Sequence, residues 1–542
     1  MATATAKPEV FTRRASGLVR VMSPYSAFAY NILTMGLIFP WTYLWAPGAL
    51  PGGHLVWGII VAMILEIPIA LAYVWLSTAL PRSGGDYVFQ SRVFGGGIGF
   101  TIVMSGFVIW ILQWVALSGW LLAYLGFTPL FLGLGATMGS PAMTSLGLWF
   151  TTPTGIVLTS IANAFIALVL LVSGFKNYVR FQHVMWIATL LAFAVMLVVL
   201  FGTTPQTFAE KMNTFVVASG GQPHFYETAL AAAKAKSIDL NPPFSLMATL
   251  LVAPIAWTSL QWASYSAQQN GEIKNARSFR SQMIIIIGSL VVTGILLAIL
   301  AAAFEHAIGT DFLYVAGAGY WSGLAEGTFN GVFLWPNIVA MAIAGHPLIV
   351  LIIAAGYILN SFQIVNNCYI GMTRVMVAMS LDRLLPEWVS RVSERLHTPV
   401  NAHVVYFLAS IPVILVYNLW SRWLALTLGV TFACGYVFVV TSLAGALLPY
   451  RAKALYEASP GAQYKLGGIP LVTILGVIGA IVGGGMVLMF IFSNAFGLNT
   501  PLAQEVVIGV LVVSLVWYVL TKTVQKSRGI DVTYAFKEIP PE

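Results

Sequence analysis

Charge is what this chain has least of. Asp, Glu, Lys and Arg together make up 8% of its 542 residues, where a soluble domain carries about 25%. With 59% apolar residues and a mean hydropathy of +0.87, a fold surrounded by water is excluded. Cysteine is nearly absent as well: Cys368 and Cys434 both fall within or at the end of apolar segments. That rules against a disulfide framework and leaves the redox compartment open. Catalytic signatures are missing. The chain has no HExxH metal pair, no GxSxG elbow and no clustering of His or Asp, so no cofactor or metal is expected and an enzyme is disfavoured. The lack of a P-loop argues against ATP-driven pumping by this chain. No charged ring or carbonyl-filter motif points to a channel, and the ten-residue alternation of an outer-membrane barrel is not seen.

What the chain does have is a succession of runs of about 20 mainly apolar residues, the pattern of spanning helices. Twelve spans are expected, at 24–46, 55–80, 97–126, 154–174, 183–202, 244–268, 281–304, 336–378, 401–418, 423–448, 470–493 and 504–521. The first run begins near Ser26, after Lys7, Arg13, Arg14 and Arg20. It is too long for a signal peptide and no small-residue cleavage site follows, so it reads as a retained span. The eighth run is overlong for one crossing, with its last turns projecting into the cytoplasm. Twelve crossings put both termini on one side. Of the 26 basic residues all but Lys211, Lys234, Lys236 and Arg422 lie on that side, while Glu210, Glu227, Asp239, Asp311, Glu326 and Glu505 gather opposite. By the positive-inside rule both termini are cytoplasmic in a multi-pass cell-membrane protein. The net charge of +8 expresses this orientation and calls for no nucleic-acid partner. Two outer loops, 203–243 and 305–335, exceed a minimal connection, and Phe225 to Ile238 fits a short helix on the outer surface. The tails are short, with no soluble domain expected at either end; the oligomeric state is open.

The polar loops carry more specific wording. Pro81-Arg82-Ser83-Gly84-Gly85-Asp86-Tyr87-Val88-Phe89 follows the second span: Pro81 stops a helix, the Gly pair allows a tight turn, and Arg82 and Asp86 mark a polar surface. Gly271-Glu272-Ile273-Lys274-Asn275 follows the sixth span. Arg374-Val375-Met376-Val377-Ala378-Met379-Ser380-Leu381-Asp382-Arg383-Leu384-Leu385-Pro386 and Thr398-Pro399 join the eighth to the ninth. In order and spacing these segments resemble the loops of the amino acid–polyamine–organocation (APC) superfamily of permeases. Ala276 replaces the family's proline after Glu-Val-Lys-Asn, Thr373 its serine and Arg383 its glycine, and Gly174-Phe175-Lys176 is similar to its Gly-x-Lys turn. The resemblance covers roughly 24–448. It implies an all-α polytopic membrane fold of leucine-transporter type, with five plus five spans in inverted repeat, two extra helices, and first and sixth spans broken near the midplane. Residues 24–202 would form the first repeat, 244–448 the second and 470–521 the added helices, between cytoplasmic tails 1–23 and 522–542.

A break in mid-membrane exposes backbone N–H and C=O groups that a polar substrate can satisfy. Span one offers Thr34, Met35, Gly36 and Leu37 as the break, ahead of Pro40; a simple proline kink is the alternative. Span six offers Pro254, Trp257, Thr258, Ser259, Gln261 and Ser264, with Trp262 where the family usually has glycine. Trp257 and Trp262 are read as gate residues, Trp257 as a lid, with an ordinary packing tryptophan weighted equally. Span eight contributes Asn360, Ser361, Gln363, Asn366 and Asn367. Positions 360, 363 and 367 share one helical face, which either lines a pathway or bonds neighbouring helices. Gln113 and Ser118 on span three are further candidates. Glu66, in the middle of span two and followed by Pro68, is an acid deep in a span, and the acid–base partner that an enzyme would need beside it is not evident. Its charge would cost at least about 2.5–3.5 kcal/mol there. It reads as a proton carrier, or as a permanently protonated carboxyl bonding a neighbouring helix. Span five, 183–202, contains no lysine, the residue that some proton-coupled relatives place there. The expected activity is secondary transport of an amino acid or related small organic amine by alternating access, coupled to H+. Na+ coupling through span-one carbonyls with Ser361 or Thr373 stays open, as do symport against exchange, a nucleobase or compatible solute as substrate, and, from another class, a membrane-embedded enzyme.

Overall fold

The computed structural model describes residues 16–38, 43–420, 427–492 and 500–539. In chain order the α-helices longer than five residues are α1 (Pro24–Met35), α2 (Leu55–Ala79), α3 (Gly85–Phe94), α4 (Gly96–Met138), α5 (Pro141–Trp149), α6 (Pro153–Val172), α7 (Phe175–Phe201), α8 (Pro205–Ala218), α9 (Phe225–Ala235), α10 (Leu246–Leu260), α11 (Phe279–Trp321), α12 (Pro336–Ala344), α13 (Pro347–Leu381), α14 (Val400–Leu419), α15 (Thr427–Arg451), α16 (Leu471–Phe492) and α17 (Pro501–Ser527). Among the described residues eleven helices are long and apolar enough to cross a membrane. With α1, which is interrupted, they account for the expected spans. The described strands are two hairpins of two-residue arms, Thr328–Phe329 with Val332–Phe333 and Lys465–Leu466 with Ile469–Pro470.

Many helices begin on the same chemical pattern. A side-chain acceptor occupies the N-cap and proline follows it, where the missing N–H costs no intrahelical bond. Ser23, Thr152, Thr204, His346 and Thr500 cap α1, α6, α8, α13 and α17 in this way. The pattern explains two departures from the expected spans. The loop at 203–243 contains α8, started by Thr204-Pro205, in addition to α9. The run at 336–378 is two helices, because Gly345 turns left-handed (φ 65°) and His346-Pro347 starts a new one. Likewise 305–335 is largely helical: α11 continues to Trp321 past a non-helical Gly309. Pro40 and the start of the tenth span lie outside the described residues.

Burial sorts the helices into a centre and a rim. The apolar windows of α4 and of Leu246–Glu272 are 72% buried, that of α17 only 22%. α7 and α17 expose Ile187, Val198, Val513 and Leu520, as a surface bathed in lipid tails requires. α4 is loosened by two π-helical stretches, Met104–Ile109 and Leu121–Phe127. Side chains reach the first of these: Tyr406 donates to the Val108 carbonyl at 3.2 Å, and the Cys434 thiol to the Gly106 carbonyl at 3.3 Å.

Close helix approach depends on small residues. A Cβ placed on Gly356 of α13 would lie 2.2 Å from Ala192 Cβ on α7. Gly356→Val should therefore force these helices apart, at a cost of about 1–3 kcal/mol, and lower the thermal midpoint of the detergent-solubilised protein. Gly484→Val, at a position with open space around it, should leave that midpoint unchanged.

Candidate functional site

α1 stops in the middle of the protein. Its last residue is Met35, and Gly36 adopts φ 79°, a conformation that costs an L side chain about 1–2 kcal/mol. The final carbonyls of a helix have no intrahelical donor and carry the negative end of its dipole, so donors must come from elsewhere. Gly36 N donates to the Ile32 carbonyl at 3.1 Å. Asn360 Nδ2 on α13 donates to the Leu33 carbonyl at 3.0 Å. Thr34 Oγ1 donates to the Tyr30 carbonyl and accepts from Asn367 Nδ2, both at 2.6 Å. Gln363 Nε2 completes the group, donating to Asn367 Oδ1 and to the hydroxyl of Tyr178 on α7. The face shared by 360, 363 and 367 is thus turned to the end of α1. Asn366 instead bonds its own helix, at the Phe362 carbonyl.

Span six changes character at the same level. α10 ends at Leu260 and continues as a 3-10 helix, Gln261–Glu272, in which Gln269 leaves helical geometry. Asn31 of α1, which the sequence reading passed over, ties this segment in place. Its Oδ1 accepts from Ser266 N at 2.9 Å and its Nδ2 donates to the Ile285 carbonyl of α11 at 3.0 Å. An asparagine between apolar neighbours, just before the break, was the signal available. Asn270 extends the arrangement, donating to the Ser77 carbonyl of α2 at 2.8 Å and accepting from Gln282 Nε2 at 2.8 Å.

The sequence-predicted residues separate into distinct places. Met35 and Leu37 are buried beside the break at Gly36. Thr258 bonds back to the Ile255 carbonyl, and Ser259 is half-buried. Gln261 Nε2 and Trp262 Nε1 both reach the Thr258 carbonyl, at 3.4 and 3.0 Å. Trp262 sits among rings, 6.2 Å from Phe107, 5.6 Å from Trp114, 5.3 Å from Tyr265 and 5.6 Å from Phe438. Trp257 is elsewhere: fully buried, it donates Nε1 to Glu66 Oε2 at 2.6 Å. Glu66 thus bonds a neighbouring helix, α10, through a residue 191 positions away. Among the described residues several buried polar atoms have no hydrogen-bond partner: Gln261 Oε1, Ser264 Oγ, Asn360 Oδ1, Ser361 Oγ, Gln363 Oε1 and both amide atoms of Gln113. Ser118 accepts from Asn163 Nδ2 at 3.2 Å.

The loops singled out by their wording converge on the face that carries both terminal segments. Gly84 and Gly85 take φ 100° and 31°, and a Cβ on Gly85 would lie 2.6 Å from Gln268 Oε1 and 2.9 Å from the Ala267 backbone. The glycines let α3 start directly against the unwound end of span six, where Gly84 N donates to the Gln268 carbonyl at 2.8 Å. Asp86 accepts from Tyr73, Thr441 and Gln268. Burial pushes its carboxyl up to about 6, with these donors pulling the other way. Arg374 grips Glu272 with two bonds of 2.7 and 2.9 Å, contacts His403 Nε2 at 3.2 Å and lies over the Phe175 ring. Arg92 grips Asp382 at 2.6 and 3.1 Å, with Tyr87 donating to the same carboxylate at 2.7 Å. Val21 and Met22 donate to the Glu272 carbonyl, both at 3.0 Å, which brings in the segment ahead of α1.

A family model described as amino acid permease matches residues 25–517. Over 102 residues the chain is 30% identical to Uncharacterized protein 399 of Sulfolobus islandicus rod-shaped virus 1. That stretch is 17% of this chain, and the chain spans about a quarter of the relative's length, 26%.

Two substitutions test the polar framework through the thermal midpoint. Asn31→Ala removes both cross-links, to Ser266 N and to the Ile285 carbonyl, at about 0.5–1.5 kcal/mol each, and should lower the midpoint. Arg374→Ala takes away the guanidinium that holds the Glu272 carboxylate by two bonds, at about 3–5 kcal/mol, and should yield little folded protein. The double variant Glu272→Gln/Arg374→Gln, which removes both charges, should recover much of that loss.

Proposed function

This chain belongs to the amino acid permease family, and from that premise we propose that it is a secondary transporter moving an amino acid or related small organic amine by alternating access. The observation that carries the substrate class is the chemistry of the unpartnered atoms around the break. The NH2 groups of Asn360, Gln363 and Gln261 are committed to protein acceptors, while Asn360 Oδ1, Gln363 Oε1 and Gln261 Oε1 are left without donors. Amide oxygens accept from an ammonium group. The hydroxyls of Ser264 and Ser361 adapt to either role. Backbone N–H groups beyond the break, from Leu37 on, would receive the carboxylate, while the carbonyl end at Thr34, Met35 and Gly36 suits the ammonium group; Trp257, Thr258 and Ser259 would lie along the substrate's path, with Trp257 and Trp262 as gates.

Protons are the proposed coupling ion, carried by Glu66. Its bond to Trp257 Nε1 links the state of a carboxyl on α2 to the position of α10, which is the connection that coupling needs. Oε1 of the same carboxyl has no partner among the described residues and is the oxygen that would carry the proton. The face bearing the terminal segments is proposed to be cytoplasmic in the cell membrane, since the sequence pattern assigns 22 of the 26 basic residues to that side. A flat solute such as a nucleobase is the second reading. Its support is the ring cluster of Phe107, Trp114, Trp262, Tyr265 and Phe438, against which a planar solute could stack.

The test is uptake into proteoliposomes of a labelled panel of amino acids, polyamines and nucleobases, with an imposed proton gradient, with sodium, and with neither. Saturable uptake of an amino acid or amine driven by the proton gradient is expected; transport of nucleobases alone would replace the substrate class. Glu66→Gln keeps an acceptor for Trp257 but cannot release a proton. It should abolish gradient-driven uptake, and uptake with the parent's proton dependence would remove Glu66 from the coupling role.

A further inference from the structure

The carboxyl-terminal segment beyond α17 packs onto one of the two buried ion pairs at the terminal face. Val532–Lys537 forms a 3-10 helix in which Val532 and Ala535 are buried. The Phe536 ring covers Gly96 so closely that a Cβ there would lie 2.0 Å from its Cζ, and the same ring stands 5.9 Å from the Arg92 guanidinium. Two residues further on, the Glu538 carbonyl accepts from Arg92 Nε at 3.1 Å. The other edge of that guanidinium holds Asp382 and Ser91 Oγ. A second anchor lies nearby, where Gln525 Nε2 at the end of α17 donates to the Arg383 carbonyl at 3.0 Å.

We propose that residues 531–539 act as a latch: by fixing the free edge of the Arg92 guanidinium and covering it from water, they hold the Arg92–Asp382 pair that closes the terminal face. The physical reason is screening. The side chains of this pair are 1% and 0% exposed, and breaking so buried a pair from one side is strongly unfavourable. Without the segment the guanidinium meets water along its Nε edge. The pair then behaves like a surface ion pair, which is worth little and competes with solvation. Separation of α3 from the end of α13 becomes easier, and the closed arrangement loses its advantage over one open to the terminal face. The latch is a positioning element. It touches neither the break in α1 nor the unwound part of span six.

The proposal rests on the transporter reading only in assuming that the terminal face opens, and its test needs no substrate. Cys368 on α13 is buried beside Asn367, so its thiol reports opening toward the centre. In a Cys434→Ala background, a membrane-impermeant maleimide is applied from the terminal face and the labelling rate of Cys368 is followed. Three variants are compared with this parent: a chain ending after Ile530, Gly96→Ala, which displaces Phe536 without removing the tail, and Asp382→Asn, which breaks the pair directly. We expect labelling at least fivefold faster in the truncated chain and in Gly96→Ala, approaching the rate of Asp382→Asn. Should the truncated chain fail to fold, Gly96→Ala carries the test alone. Unchanged or slower labelling in the tail variants, or no acceleration in Asp382→Asn, overturns the proposal. Failure of every panel solute to be transported would sink the substrate reading and leave a labelling result of either sign intact.

Discussion

Inside hydrocarbon an unpaired backbone group costs several kcal/mol, and this single constraint organises the centre of the protein. Breaking α1 at Gly36 and loosening span six after Leu260 release carbonyls and amides that a continuous helix would have paired. The chain answers with carboxamides. Asn360 donates to the end of α1, Asn31 joins that helix to both the unwound segment and α11, and Asn270 reaches back to α2. A carboxamide suits this task because it offers a donor and an acceptor without a charge. Buried acids among the described residues are each held in turn: Glu272 and Asp382 by arginines, Asp86 by Tyr73, Thr441 and Gln268, and Glu66 by a tryptophan N–H.

The terminal face illustrates how conspicuous sequence can be explained by contact rather than by chemistry on a substrate. The Gly84-Gly85 pair, Glu272, and Arg374 with Asp382 stand in three segments far apart in the chain. They meet because α3 must start against the backbone of Ala267 and Gln268, which excludes side chains at the turn. Arg92, one turn beyond the first loop, then faces the end of α13. Two buried arginine–carboxylate pairs with bidentate geometry fix that arrangement. Such pairs bring orientation more than net stability, since desolvation offsets most of the attraction.

Much of this was legible before any coordinate. Long apolar runs located the membrane helices, loop wording pointed to the permease family, and the small residue at 36 marked the place where α1 stops. Amides at 360, 363 and 367 were recognisable as a shared face, because helical spacing is a local property. The failures were also physical. Hydropathy alone hides α8, whose start is written only in the Thr204-Pro205 capping pattern, and apolar residues on both sides hide the split at Gly345. The contacts of Asn31, and the identity of the N–H that meets Glu66, lie across the fold and leave no mark at short range. The separate settings of Trp257 and Trp262, five residues apart, follow from the change in helix type between them.

α13 has one further property. It runs for 35 residues from Pro347 to Leu381 with no internal interruption. Asn360, which holds the end of α1, and Asp382, which holds Arg92, stand 22 residues apart on it, or about 33 Å at 1.5 Å per residue. A rod of that length works as a lever arm: a tilt of about 5° at the first point would sweep the second through roughly 3 Å. That travel is comparable to the 2.6 Å bond between Arg92 and Asp382, so a rearrangement too small to notice at the centre suffices, mechanically, to unfasten the far end.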